Sequence, residues 1–277
     1  RSSPMMLRVE AKASGLEILK FYGYGNETTR TEAKDFYRTD QQHLVLAPSL
    51  LLPLNGYLTA EFGPVVKRVT TGLDRESLIS NEKPYGVTDQ GFAQLGAQGS
   101  LRFDTRDSPV APSRGVLLRL GATAYPALLD AEEAFGSLEG SAATAVTPFR
   151  PLTLAGRVSG RTTWGKYPAH EAAYLGGSRT VRSLSSQRFA GDAAIWGNFD
   201  SRLRLTTLPF VMRWDFGLLG VADLGRVFYE PEQSSTWHYG LGGGLWAGLP
   251  DRSFMGLVNV VAGDDGVKFW AGSAFIF

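Results

Sequence analysis

The groups in this chain best suited to specific chemistry are three arginines crowded into one stretch. Residues 174–192 read Tyr-Leu-Gly-Gly-Ser-Arg-Thr-Val-Arg-Ser-Leu-Ser-Ser-Gln-Arg-Phe-Ala-Gly-Asp and carry Arg179, Arg182 and Arg188. A guanidinium recognises rather than turns over: its charge is permanent and its fork of donors matches a carboxylate. The stretch is too long and too polar for a turn and follows neither the helical nor the strand period. Strand-like segments flank it, and a loop of such length in a β-rich chain is usually functional or disordered. Tyr174, Leu175, Leu184 and Phe189 argue for order. The expectation is a loop, at about residues 165–197, folded into the lumen of a β-barrel, with Arg182 reaching an acidic group on the inner wall.

Other chemistry-bearing residues do not assemble. His43, His170 and His238 are scattered and lack metal-ligand spacing with carboxylates. Ser185 and Ser186 form no triad with the loop carboxylates. The run Gly240-Leu-Gly-Gly-Gly244 sits in a strand-like segment and precedes no helix, so it is not a phosphate cradle. Glycine there permits a bend or a close-packed lumenal wall. Glu132-Glu133 reads as solvated loop charge. No catalytic set, metal site or cofactor is expected, and the chain is read as no enzyme.

The elements that must position the arginines are strands. Residues 7–14 set Leu7, Val9, Ala11 and Ala13 against Arg8, Glu10, Lys12 and Ser14, a period of two with one polar face. Gly15 interrupts; residues 7–22 are read as one strand with a bulge rather than a hairpin. A strand is expected at 36–47, a Pro-bounded turn at 48–55, and another strand at 56–70. Residues 91–104 put Ala93, Leu95, Ala97, Leu101 and Phe103 opposite Gln94, Gln98, Ser100, Arg102 and Asp104. Residues 152–164 put Leu152, Leu154 and Val158 opposite Arg157, Ser159, Arg161 and Thr163. After the loop, residues 198–206 put Asn198, Asp200, Arg202, Arg204 and Thr206 on one face. Residues 116–125, 211–228, 237–249, 253–262 and 267–277, with a segment that follows a loop at 128–134 and ends at 147, supply the remaining strands. The count is about twelve, an even number as in bacterial outer-membrane barrels, and short Pro-marked turns alternate with longer, more polar loops.

The chain has 277 residues, a formal charge of +1 and no cysteine. One large β domain over residues 1–277 fits that length. The charge balance gives no electrostatic case for nucleic acid, and the lack of cysteine excludes a disulfide scaffold. No apolar run approaches the roughly 20 residues of a membrane-spanning helix, but alternation hides a membrane barrel from average hydropathy. Charge-free faces recur across nearly every strand, and only closure removes the edges such a sheet would expose. Tyr22, Phe103, Tyr125, Trp164, Trp237 and Phe277 gather near strand ends, as interfacial girdles do. The fold expected is therefore all-β: a transmembrane antiparallel β-barrel of about twelve strands with a long extracellular loop folded into its lumen.

Several motifs, in order, resemble the barrel domain of the bacterial surface-antigen superfamily, the BamA/TamA-like outer-membrane insertases. Asp104-Thr-Arg-Asp-Ser-Pro, with Pro112 and Gly115, is similar to that family's periplasmic turn. Gly176-Gly-Ser-Arg-Thr-Val-Arg182, followed by Arg188-Phe-Ala-Gly-Asp192, resembles its lumenal loop. Gly220-Val-Ala-Asp-Leu-Gly-Arg-Val-Phe228 resembles the strand bearing the loop's acidic partner, and Phe21-Tyr-Gly-Tyr-Gly-Asn-Glu-Thr28 another family segment. The ending Gly272-Ser-Ala-Phe-Ile-Phe277 is similar to the C-terminal signal read during barrel assembly.

The resemblance implies a pair between Arg182 and Asp223, supported by Gly176, Gly177, Arg179, Arg188, Phe189, Gly191 and Asp192, and an assembly signal in Gly272, Phe275 and Phe277. Ser183 and Leu184 stand where the family usually has glycine and an aromatic. Periplasmic domains and a larger barrel are usual in the family, so a minimal or truncated member is expected. The implied function is protein or lipid translocation or assembly at the bacterial outer membrane, with a weak seam between first and last strands and a loop that blocks the pore. The implied partners are outer-membrane lipids, the barrel assembly machinery during biogenesis, and a client or passenger protein. A membrane anchor for an upstream passenger enzyme and a passive pore are the competing readings.

Overall fold

The computed structural model describes residues 5–275 apart from Asp74 and Phe210. Period-two alternation becomes one long antiparallel sheet. Its strands are β1 (Met6–Lys20), β2 (Arg38–Pro53), β3 (Leu58–Thr71), β4 (Phe92–Asp104), β5 (Gly115–Tyr125), β6 (Phe135–Phe149) and β7 (Leu152–Gly165). A separate small hairpin follows, β8 (Ala173–Leu175) with β9 (Phe189–Gly191). The sheet resumes with β10 (Ala193–Pro209), β11 (Arg213–Phe228), β12 (His238–Gly248), β13 (Met255–Gly263) and β14 (Gly266–Gly272). Its 12 strands pair in chain order from β1 to β14, with β7 joined directly to β10. This is the antiparallel barrel fold expected from the alternation.

The faces sort by chemistry. Leu7, Val9, Leu44, Leu46, Phe62, Leu101, Leu120, Val158, Leu218, Leu241, Leu245 and Val258 all stand exposed on the outside. Large apolar side chains exposed on strand after strand are the surface a barrel presents to lipid. The opposite face carries the arginines, carboxylates and glutamines. Gly15 lies at a register shift between Ser14 and Glu17 within β1, so residues 7–20 do form one strand.

Four local expectations need correction. Residues 48–53 are not a turn: β2 continues through Pro48 to Pro53. Proline survives there because the β2–β3 register runs from Gln41–Thr71 to Leu46–Val66 and resumes at Leu50–Phe62, leaving Pro48 and Pro64 in the interruption. Tyr22 and Tyr125 belong to no outer girdle, since both are buried, stacked on Tyr37 and Phe135 respectively. Thr206 does not share a face with Arg204: a register shift separates them, and Thr207 instead donates to Asp215. The last strand ends at Gly272. Beyond it the buried Phe275 donates its backbone N–H to the Val110 carbonyl and lies 3.5 Å from the Arg202 guanidinium carbon.

The two outermost strands differ from the rest. Among the described residues no ladder joins β14 to β1, and β1 is exposed along most of its length on both faces. The ends are tied through loops instead. Asn26, after β1, accepts from the Val227 N–H and donates to Ser234 and the Thr236 carbonyl, while Tyr24 stacks on Tyr229. Arg30 reaches Asp265 in the β13–β14 turn at 3.3 Å.

Candidate functional site

The connection from β7 to β10 packs against the inner face of the sheet and is built as a compact body. A short 3-10 turn, Ala169–Glu171, leads into the β8–β9 hairpin, which holds the two ends of the loop tip together. Gly176 has φ +119, and a Cβ there would stand 2.1 Å from the Ser185 carbonyl oxygen, so this turn demands glycine. The Gly176 N–H donates to Thr180 Oγ1 at 2.7 Å and Gly177 N–H to the Leu184 carbonyl at 3.2 Å. Leu175, Val181, Leu184 and Phe189 are buried together with Ala194 and Val227 of the wall. The apolar residues of the loop thus supply its order.

Arg182 is at the tip. Its backbone N–H and Nε both donate to Asp223 Oδ2 at 2.8 Å, and Nη2 donates to Asp223 Oδ1 at 2.7 Å. Nη2 also lies 2.9 Å from Asp200 Oδ1. All three residues are almost fully buried. Burial works against the guanidinium charge, but the bonds to Asp223 and the charge of Asp200 outweigh it and push the Arg182 pKa up. Such a bidentate pair is short, directional and charge-assisted.

The wall beneath the tip is a single row of the sheet. Arg157, Asn198, Asp223, Gly240 and Gly263 are successive register partners across β7, β10, β11, β12 and β13. Asn198 Nδ2 donates to Asp223 Oδ1 at 2.7 Å and to the Thr180 carbonyl at 2.6 Å, and Arg157 Nη2 donates to Asn198 Oδ1 at 2.7 Å. The two glycines make room for Ser183: a Cβ at Gly240 would meet its Oγ at 3.0 Å and one at Gly263 at 2.5 Å. Ser183 Oγ donates to the Tyr239 carbonyl at 2.6 Å, and Trp270 Nε1 donates to the Arg182 carbonyl at 2.7 Å. Glycine in this row is therefore the seat of the loop tip.

Three further contacts hold the loop. Ser185 donates through N–H and Oγ to Asp265 Oδ2. Burial would raise the Asp265 pKa, but Ser185, Lys268 and Arg30 hold it below the usual carboxylate range. At the loop's root Glu171 accepts from Lys67 Nζ at 2.7 Å, Gln94 Nε2 at 2.7 Å and Arg161 Nη2 at 3.1 Å. Burial pushes that carboxyl up, and the cations Lys67 and Arg161 outweigh it, leaving it at about 2. Arg188 donates to Thr28 through Oγ1 and the carbonyl, and its guanidinium covers the Tyr22 and Phe189 rings.

The remaining residues singled out in the sequence fall as follows. Phe189 stacks on His238 at 4.0 Å between ring centroids. Gly191 lies in β9, where a Cβ would stand 2.4 Å from the Phe228 carbonyl oxygen. Asp192 accepts from Tyr167 OH at 2.5 Å and from the Glu230 N–H at 3.0 Å. Arg179 stays away from Asp223 and meets Arg157 only through its backbone carbonyl, with its side chain exposed to the lumen. Gly272 closes β14 and Phe275 packs inward near Trp246, while Phe277 lies outside the described residues. Sequence reasoning passed over Asn198, Asp200, Trp270, Asp265, Glu171 and Asn26 as parts of this network. Asn198 and Asp200 shared the face of Arg202 by parity, which was the available signal; the others depend on long-range register.

The family model for the Omp85 superfamily domain matches residues 10–239. A sequence search of curated proteins gives no match. Among solved structures, BamA from Haemophilus ducreyi lacking POTRA domains 1-3 superposes with a TM-score of 0.65 at 9% identity. The alignment covers 91% of this chain and 57% of that one. At that identity the likeness is one of fold.

Proposed function

The chain belongs to the Omp85 superfamily, and we propose that it is an outer-membrane barrel whose lumenal loop is a latched plug, serving translocation or assembly of proteins or lipids. The family's association is with that membrane and with insertase-like work. The observation carrying the reading is the Arg182–Asp223 contact, three hydrogen bonds from one residue to one buried carboxylate. A charge that was merely solvated would not be enclosed at two neighbouring carboxylates. The edges of β1 and β14, which no ladder joins among the described residues, supply the second part: a client strand or lipid tail can meet open backbone or a lateral gap there without breaking a ladder. The clients in this reading are unfolded β-strand segments or lipids, and no catalytic step is assigned. The barrel assembly machinery would fold the chain itself.

The test is planar-bilayer conductance of the purified chain beside Arg182→Ala and Asp223→Ala. The expected result is a nearly closed wild type and larger, noisier conductance in both variants to a similar extent. A wild type that conducts steadily, with neither substitution changing it, would sink the latch and leave a passive pore.

A further inference from the structure

Beneath the plug tip lies a second chamber that the latch does not use. It has a volume of about 570 Å³ and is bounded by the plug tip, the inner faces of β4–β7, and residues 270–275. Arg102, Arg106, Arg119, Arg157, Arg179 and Arg182 all line it, and Asp200 is the one carboxylate among its lining residues. Asp200 and Asp223 are committed to Arg182. Asp104 serves Arg102 and Arg106 at 2.5 and 2.9 Å. Arg157 donates to Asn198 Oδ1 and the Arg179 carbonyl. Among the described residues, no hydrogen bond or ion pair engages the side chains of Arg119 and Arg179.

One feature says that this surplus costs the fold something. Arg102 and Arg119 are direct register partners on β4 and β5, and like charges directly opposite in a sheet are destabilising. Asn259 on the facing strand is only 4% exposed, lines the same chamber, and its side-chain oxygen has no hydrogen-bond partner. That oxygen is an acceptor and offers an anion nothing; only the Asn259 amide nitrogen can donate to one.

We propose that this chamber binds a phosphate-bearing anion, held by Arg119 and Arg179 with the Asn259 amide nitrogen donating opposite. Guanidinium forks match phosphate oxygens two by two, a dianion would neutralise the surplus charge, and Leu117, Leu257 and Phe275 leave an apolar margin for an ester substituent. This proposal stands apart from the plug reading, because neither Arg119 nor Arg179 has a side-chain role in holding the loop. A soluble phosphate ester and the headgroup of an acidic phospholipid present the same chemistry.

The test is calorimetric titration of the full chain in zwitterionic detergent with inorganic pyrophosphate and, separately, with mixed micelles carrying phosphatidic acid or only phosphatidylcholine. Saturable one-site binding is expected, weakened about tenfold or more in Arg119→Gln and in Arg179→Gln by loss of a charge-assisted contact, with neither unfolding midpoint lowered. Asn259→Ala gives an independent variant from the facing strand, and weaker binding is expected there too. Binding of pyrophosphate alone identifies a soluble ligand; binding of phosphatidic acid alone identifies a headgroup. No saturable binding of either probe, or unchanged affinity in all three variants, overturns the proposal.

Discussion

The two sides of this lumen are built on opposite plans. Along β10–β13 the wall is buried, carboxylates and glycines alternate with small residues, and Arg182 and Ser183 of the loop find partners at close range. Along β1–β5 the same lumenal parity carries Arg8, Glu10, Lys12, His43, Glu61 and Gln98 around a cavity of about 470 Å³ that the loop does not fill. The strands have the same alternation, so the secondary structure does not distinguish them. What differs is dielectric surroundings. An ion pair sealed between loop and wall feels a low dielectric and becomes indispensable once formed, whereas one facing a wet cavity is screened. The loop is thus fastened to one wall and stands clear of most of the other.

The largest effect should come from breaking the sealed side. Removing one member of a buried pair strands the other charge, at a cost of about 3–5 kcal/mol. Asp223→Ala leaves Arg182 with Asp200 alone, and Arg182→Ala leaves two buried carboxylates side by side. Both are expected to lower stability to urea by that order, and the double variant by far less than the sum, because the two act as a unit. Additive losses would mean that the pair is not coupled, and the contrast between the two walls would lose its main support.

Glu171 sharpens the comparison, because through it the loop's root reaches across to Lys67 on β3 and Gln94 on β4. Its carboxyl is held at about 2 against an ordinary 4.5. A depressed folded-state pKa gives stability that is complete above the unfolded value and is lost as pH falls through the folded one. The window is therefore about pH 4.5 down to 2, and the full contribution is on the order of 3 kcal/mol. Glu171→Gln should lose stability at pH 7 and show a flatter acid limb than wild type in equilibrium unfolding across that range. Parallel acid limbs would show that the root is not tied to the far wall by this charge.

How far the sequence could go follows from the same contrast. Strand number, parity and the position of the loop were legible because each is a local pattern: Leu7 to Ser14 and Leu152 to Thr163 alternate without help from the rest of the chain. Pro48 misled because proline usually ends a strand, and only the facing Gly63 and Pro64 show that the ladder is interrupted there without ending. Tyr22 and Tyr125 misled because an aromatic near a strand end has two possible faces, and one residue of register decides between lipid and lumen. The partners of Arg182 were half legible. Asp223 was implied by resemblance, whereas Asp200 and Asn198 join it only because β10 pairs with β11 in the register Asn198–Asp223. Gly240 and Gly263 could be suspected of close packing, but that they seat Ser183 is a fact of three dimensions.

The smallest effect is expected on the open side, and it is the most demanding test of the contrast. Arg8 Nη1 lies 3.5 Å from Glu61 Oε2, with side chains 58% and 23% exposed. Glu61 keeps a second partner in Ser49, whose Oγ donates at 2.5 Å, so removing Arg8 leaves no carboxylate stranded. Screened pairs of this kind are worth about 0–1 kcal/mol. Arg8→Gln should therefore leave the urea midpoint within about 0.5 kcal/mol of wild type at ordinary salt, with any difference shrinking as salt is raised. A loss as large as that of Asp223→Ala would mean that charge on β1 is as structural as charge on β11. The edge strand would then have to be closed against something, and the free seam on which the proposed function leans would not exist in solution.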